Sequence, residues 1–167
     1  MQRPTRRAFL AGVGASVSLA GCVNPLSGGS SAPSGMTLET LAVGGSPGGE
    51  LAVAPSGEAV LLDFFATWCG PCKPQMGHLG TVREEFPDLH MLSITWESDA
   101  SAVRSFWRRH DGTWPVAMDS QAKTSQEFGV SGVPTLIVFD PDGREVWRHT
   151  GLAATDSIRD RVERATP

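Results

Sequence analysis

The sequence predicts an α/β fold in which a central mixed β-sheet is flanked by helices, and three observations predict it. Short apolar runs alternate with stretches of helical periodicity, the pattern of strands joined by helical crossovers. The run Val60 to Phe65 is apolar at every position but Asp63, as a strand covered on both faces must be. Two turn-bounded strand pairs, around residues 38–53 and 136–149, add antiparallel hairpins to that sheet.

Length and charge set the outer limits. At 167 residues with 40% hydrophobic content, the chain suits one domain with an ordinary core plus a short tail. Three cysteines are too few for a disulfide scaffold, so packing must hold the fold. Arg3, Arg6 and Arg7 are the only charges in the first 21 residues; the other 11 basic residues face 18 acidic ones, a net charge of −7. Nucleic acid is not expected as a partner, and a monomer is.

The chain begins with an address. Thr5-Arg6-Arg7-Ala8-Phe9-Leu10 is a twin-arginine pattern, followed by a weakly apolar stretch and Leu19-Ala20-Gly21-Cys22. These residues resemble a Tat lipoprotein signal whose lipobox ends in Cys22. The apolar stretch from Ala8 to Ala20 contains Gly12 and Gly14 and falls short of the roughly 20 residues needed to span a bilayer. Residues 1–21 are thus expected to be removed, leaving Cys22 acylated and the protein on the outer face of the cytoplasmic membrane. A plain secretory signal with an incidental Cys is the alternative and would leave the product free. Residues 22–36 include Ser27-Gly28-Gly29-Ser30-Ser31, a composition that predicts a flexible tether. Residues 37–167 form the expected folded domain.

Within that domain each element has its own signal. Leu38, Leu41 and Val43 alternate, Gly44 to Gly49 is a turn cluster, and Leu51 and Val53 resume the alternation, which predicts a hairpin. Met76, Leu79, Val82 and Phe86 recur at helical spacing after the second strand run, and Pro87 closes that helix. Leu89 to Trp96 reads as a buried strand, Asp99 to His110 as a helix, Trp114 to Met118 as a strand and Gln121 to Phe128 as a short helix. Leu136 to Phe139 and Arg144 to His149 flank the turn Asp140-Pro141-Asp142-Gly143. Thr155 to Arg164 makes the last helix, with Ile158 and Val162 four apart.

The chemistry is concentrated where the strand Val60 to Phe65 runs into Cys69-Gly70-Pro71-Cys72 at a helix start. The first helical turn has unpaired N–H groups and the positive end of the macrodipole, which stabilise a thiolate at Cys69 and lower its pKa. Cys69 is therefore expected to be the exposed nucleophile, and Cys72, one turn on, the inward resolving thiol. Pro71 suits the first helical position, where a missing N–H costs nothing. Asp63 lies among Leu61, Leu62, Phe64 and Phe65, and burial without a partner would raise its pKa towards neutrality. A zinc site would need four ligands, and only the scattered His78, His90, His110 and His149 remain to complete one.

Asp63-Phe64-Phe65-Ala66-Thr67-Trp68-Cys69-Gly70-Pro71-Cys72 resembles the active-site signature of the thioredoxin superfamily. The N-terminal hairpin, together with the strand-helix insertion over residues 89–118, is similar to TlpA/ResA-like members, and the resemblance spans about residues 37 to 165. It implies a thioredoxin fold, and a cis peptide bond at Val133-Pro134 facing the Cys pair. It also implies proton acceptance from Cys72 by Asp63. Trp68, Gly70, Pro71, Val133 and Pro134 are the expected substrate-binding residues. No metal or organic cofactor is implied beyond the Cys69–Cys72 disulfide. The implied activity is thiol-disulfide exchange, reducing exported proteins such as apocytochrome c with electrons from a membrane donor. Three departures stand out. Gln75 replaces the Glu that such proteins often carry after the second Cys, no Lys occupies the strand beside Asp63, and Gly77 stands where relatives have a Pro. A thiol peroxidase is a poorer match because Thr67 lies only two residues before Cys69. A Sco-type copper chaperone would space its two Cys differently.

Overall fold

The computed structural model describes residues 31–33 and 35–166, so the expected signal over 1–21 and the lipidation position Cys22 lie outside the described residues. The strands are β1 (Thr37–Val43), β2 (Ser46–Ala52), β3 (Val60–Phe64), β4 (His90–Thr95), β5 (Val116–Met118), β6 (Thr135–Phe139) and β7 (Glu145–Thr150). The helices are α1 (Cys72–Glu85), α2 (Ala100–Arg109), α3 (Lys123–Glu127) and α4 (Thr155–Ala165). All seven strands join one mixed sheet in the order β2-β1-β5-β4-β3-β6-β7.

Inside the sheet β3 lies next to the central strand β4, parallel to it on one side and antiparallel to β6 on the other. All five of its residues are buried. Successive side chains of a strand point to opposite faces, and the two cores divide accordingly. Leu61 and Phe65 join the cluster formed with α1, α2 and α4, while Val60, Leu62 and Phe64 join the other, capped by Phe128 after α3. By the same alternation Asp63 lies on the α1 side.

The N-terminal hairpin is tighter than its glycines suggest. The turn consists of Gly44 and Gly45 alone, and β2 already starts at Ser46, paired with Val43. A Cβ on Gly45 would fall 2.0 Å from the Thr113 carbonyl oxygen and one on Gly44 2.4 Å from that of Gly112. Glycine is needed there because the turn presses against another backbone, a long-range contact that local turn statistics do not contain. Thr40 pairs with Ala117, which joins the hairpin to the main sheet through β5.

Part of the expected tether is docked. Ser31 forms a bridge with Arg144, the Ala32 N–H donates to the Gly143 carbonyl at 2.8 Å, and Ala32 packs on the second core. Composition alone missed this because the partner is the β6–β7 turn, more than a hundred residues away. Trp96 and Trp147 are only half-buried, whereas Trp107 and Trp114 are fully enclosed. The helix α1 runs unbroken through Gly77, where a Cβ would meet nothing within 4 Å.

Candidate active site

The end of β3 delivers the chain to the reactive turn. Beyond Phe64 the strand ladder stops, the Cys69 N–H donates to the Ala66 carbonyl at 3.1 Å, and α1 begins at Cys72. Pro71 is the N-cap of α1 and Cys72 its first residue, one position later than the sequence suggests. Helix ends routinely shift by this much. Cys69 and Cys72 are joined in a disulfide with Cα atoms 5.3 Å apart. The Cys72 backbone N–H, one of the otherwise unpartnered donors of the first turn, points at Cys69 Sγ across 3.2 Å. A donor aimed at a thiol sulfur favours its anionic form.

The expected contrast in exposure between the two sulfurs is not found. Cys69 is 4% exposed and Cys72 2%, and both belong to the core under α1. In this disulfide-bonded state the pair is drawn into the apolar layer, so Cys69 is enclosed rather than solvent-facing. Exposure is supplied by its neighbours: Trp68 is 67% exposed, and Gly70 and Pro71 are exposed as well. A Cβ added at Gly70 would meet nothing within 4 Å, so small size there is not a packing requirement.

Val133-Pro134 is a cis peptide bond, located just before β6. Pro134 is buried, its carbonyl accepts from the Gly151 N–H at 2.8 Å, and half-buried Val133 packs against both cores. Thr135 then pairs with Phe64, which anchors the cis-proline turn beside the strand that leads to the Cys pair.

Asp63 is 3% exposed. It is not satisfied by backbone N–H groups. Its Oδ2 accepts from the Ser93 hydroxyl at 2.7 Å, and its Oδ1 has no hydrogen-bond partner among the described residues. Burial pushes its pKa up to about 7, and the Ser93 hydrogen bond opposes that rise only in part. Ser93 sits directly across the parallel register from Asp63, on a strand that holds no Lys. Lys73 is exposed and makes no such pairing.

Three further residues frame the site without having been anticipated. Glu97, just past β4, accepts from the Thr67 N–H and the Thr67 hydroxyl, both at 2.7 Å, and so ties the reactive turn to the next loop. Trp114 donates from Nε1 to Ser93 Oγ at 2.9 Å. Gln75 explains its own departure from the Glu pattern. Its Oε1 accepts from the Ala153 N–H at 2.8 Å and its Nε2 donates to the Ala153 carbonyl at 3.2 Å, a reciprocal pair that a carboxylate cannot make. Two sequence signals pointed here, the departure at Gln75 and the polar Ser93 interrupting an apolar strand; Glu97 and Trp114 carried none. Among the described residues no group of three or more His, Cys, Asp or Glu side chains converges as a metal cage.

Known proteins are similar to this chain in sequence and fold. The Redoxin family matches residues 29–163. The thiol-disulfide oxidoreductase ResA of Bacillus thuringiensis subsp. konkukian is 26% identical over 113 residues, covering 66% of this chain and 65% of its own length. The chain thus spans just under two thirds of that relative. A thioredoxin of Chlamydia muridarum is 35% identical over 99 residues, covering 59% of this chain and 74% of its own. In fold, a crystal structure of a putative thiol:disulfide interchange protein DsbE from Chlorobium tepidum superposes with a TM-score of 0.68 at 23% identity, over 82% of this chain and 96% of that one. The chain therefore belongs to the Redoxin family, as a TlpA/ResA-like member of the thioredoxin superfamily.

Proposed function

We propose that the protein is a thiol-disulfide oxidoreductase that reduces disulfides of exported proteins through a Cys69–Cys72 dithiol/disulfide cycle. The observation that carries this reading is the Cys72 N–H directed at Cys69 Sγ at the start of α1, within a closed Cys69–Cys72 disulfide. In the reduced protein the Cys69 thiolate attacks one sulfur of a substrate disulfide. A mixed disulfide forms, and the other substrate sulfur leaves as a thiolate. Cys72 then gives its proton to Asp63, its sulfur attacks Cys69 Sγ, and the second substrate sulfur leaves. Two electrons pass to the substrate and the enzyme ends as the disulfide. A dithiol donor held in the membrane restores it.

Asp63 suits the proton step because a carboxyl that titrates near 7 can both take and return a proton at neutral pH. Trp68, Gly70, Pro71, Val133 and Pro134 form the substrate surface in this reading, with the exposed Trp68 indole as its apolar anchor. The cellular setting rests on the sequence: residues 1–21 as a twin-arginine signal, Cys22 as the lipid anchor and the stretch from 22 to 36 as the tether, shortened where Ser31 and Ala32 dock. Apocytochrome c is the candidate substrate carried over from the family resemblance.

Trapping tests the reading. Cys72→Ser is expected to accumulate mixed disulfides with exported proteins through Cys69, and Cys69→Ser is not. Equal trapping by the two variants contradicts the assignment of the nucleophile, and turnover of peroxide without disulfide reduction contradicts the activity.

A further inference from the structure

Asp63 is held by a chain of donors that runs in one direction. Trp114 Nε1 donates to Ser93 Oγ at 2.9 Å, and Ser93 Oγ donates to Asp63 Oδ2 at 2.7 Å. Ser93 is fully buried, Trp114 is 1% exposed and Asp63 3%, so water does not compete for these bonds. An indole N–H can only donate. It occupies a lone pair of Ser93 Oγ and leaves the hydroxyl hydrogen to the carboxyl. A carboxyl oxygen that accepts this hydrogen cannot at the same time direct its own proton back along the same line. The other oxygen, Oδ1, is enclosed and unpartnered among the described residues.

We propose that Ser93 and Trp114 are positioning residues that fix Asp63 Oδ2 as a permanent acceptor, so that the proton Asp63 exchanges is carried on Oδ1. The inference rests on the reading of Asp63 as the proton acceptor for Cys72 and adds the atom involved. When Cys72 ionises, its S–H bond breaks and an Oδ1–H bond forms, while the Trp114–Ser93–Oδ2 bonds are kept. Cys69 and Cys72 share the core on this side of β3 with Leu61 and Phe65. From the strands beside β3, β4 presents Ser93 and β6 presents Leu136, neither of which ionises. Burial and the Ser93 hydroxyl are the two influences on the carboxyl, with no charged side chain among them. The donor chain thus takes the place of a neighbouring cation, partly offsetting the desolvation of the carboxylate without adding a charge to the core.

The test compares Ser93→Ala, Ser93→Thr and Trp114→Phe in the oxidised protein. The C=O stretch of protonated Asp63 is read by infrared difference against Asp63→Asn, and the midpoint of its titration by carboxyl carbon NMR. With the proton on Oδ1 the C=O is Oδ2, which accepts from Ser93. Ser93→Ala is therefore expected to move that stretch to higher frequency and to raise the midpoint by about one pH unit, the loss of one hydrogen bond to a charged group. Trp114→Phe is expected to shift both in the same direction by less, and Ser93→Thr to restore both. An unchanged stretch in Ser93→Ala places the proton on Oδ2 and overturns the proposal, as does an unchanged midpoint. The pH profile of mixed-disulfide resolution separates the proposal from the reading beneath it. A moved midpoint with an unmoved profile supports the positioning role and refutes Asp63 as the base for Cys72.

Discussion

Replacing Asp63 with Asn should make the protein more stable at neutral pH while leaving it no better in acid. Below pH 3.8 the native and unfolded states both hold the Asp63 proton, and the group contributes no pH dependence. Between 3.8 and about 7 the unfolded chain releases the proton while burial makes the native state keep it, so native stability falls as pH rises. Above about 7 the native carboxyl ionises too and the loss levels off. The full interval is worth at most about 4.5 kcal/mol, at about 1.4 kcal/mol per pH unit. In acid the parent already carries an unpartnered O–H on Oδ1, and the amide of Asp63→Asn would set N–H groups in the same enclosed place, so the variant gains nothing there. Urea denaturation of the oxidised protein, followed by the fluorescence of its tryptophans, should therefore show the variant gaining on the parent steadily from pH 4 to 7. A stability difference between the two that stays flat within about 0.5 kcal/mol over that range would refute the buried, raised-pKa carboxyl.

Other perturbations test the frame around the site. Gln75→Glu loses the Nε2–H donated to Ala153 and sets an oxygen against that carbonyl, so urea denaturation should register a loss of about 1–3 kcal/mol, larger at pH 8 than at pH 5. Trp68→Ala removes a side chain that is 67% exposed; stability should hold within about 0.5 kcal/mol, while KM for a protein disulfide rises several-fold and turnover of a small disulfide does not change. Glu97→Gln keeps one acceptor for Thr67 and loses the other, and hydrogen exchange at the Thr67 or Cys69 amide should quicken about tenfold, the equivalent of about 1.4 kcal/mol.

Local pattern carried far in this chain where the physics is local. The continuous apolar run of β3 announced a strand covered on both faces, and Met76, Leu79 and Val82 announced the buried stripe of α1. Asp99 marked the start of α2, where its side chain accepts from the Ser101 and Ala102 N–H groups. The site was legible at Cys69, Cys72 and Asp63 because each breaks or punctuates such a pattern. What stayed hidden depends on parts distant in sequence. Ser93 meets Asp63 only through the β3–β4 register, Glu97 reaches Thr67 across thirty positions, and Gln75 clasps the backbone of Ala153 seventy-eight positions away. The enclosure of Cys69 was hidden for the same reason, since α2, α4 and β6 all contribute to the core that surrounds it.

If the start of α1 makes the residue-69 sulfur an acid, the ionisation of that thiol reports it. In the reduced protein carrying Cys72→Ser, the rate of Cys69 alkylation is followed against pH alongside thiolate absorbance. The substitution leaves the backbone at position 72 in place, and with it the N–H that faces the sulfur, so ionisation is expected well below the value near 8.5 of a free cysteine. A midpoint at or above about 8.5 would contradict the account.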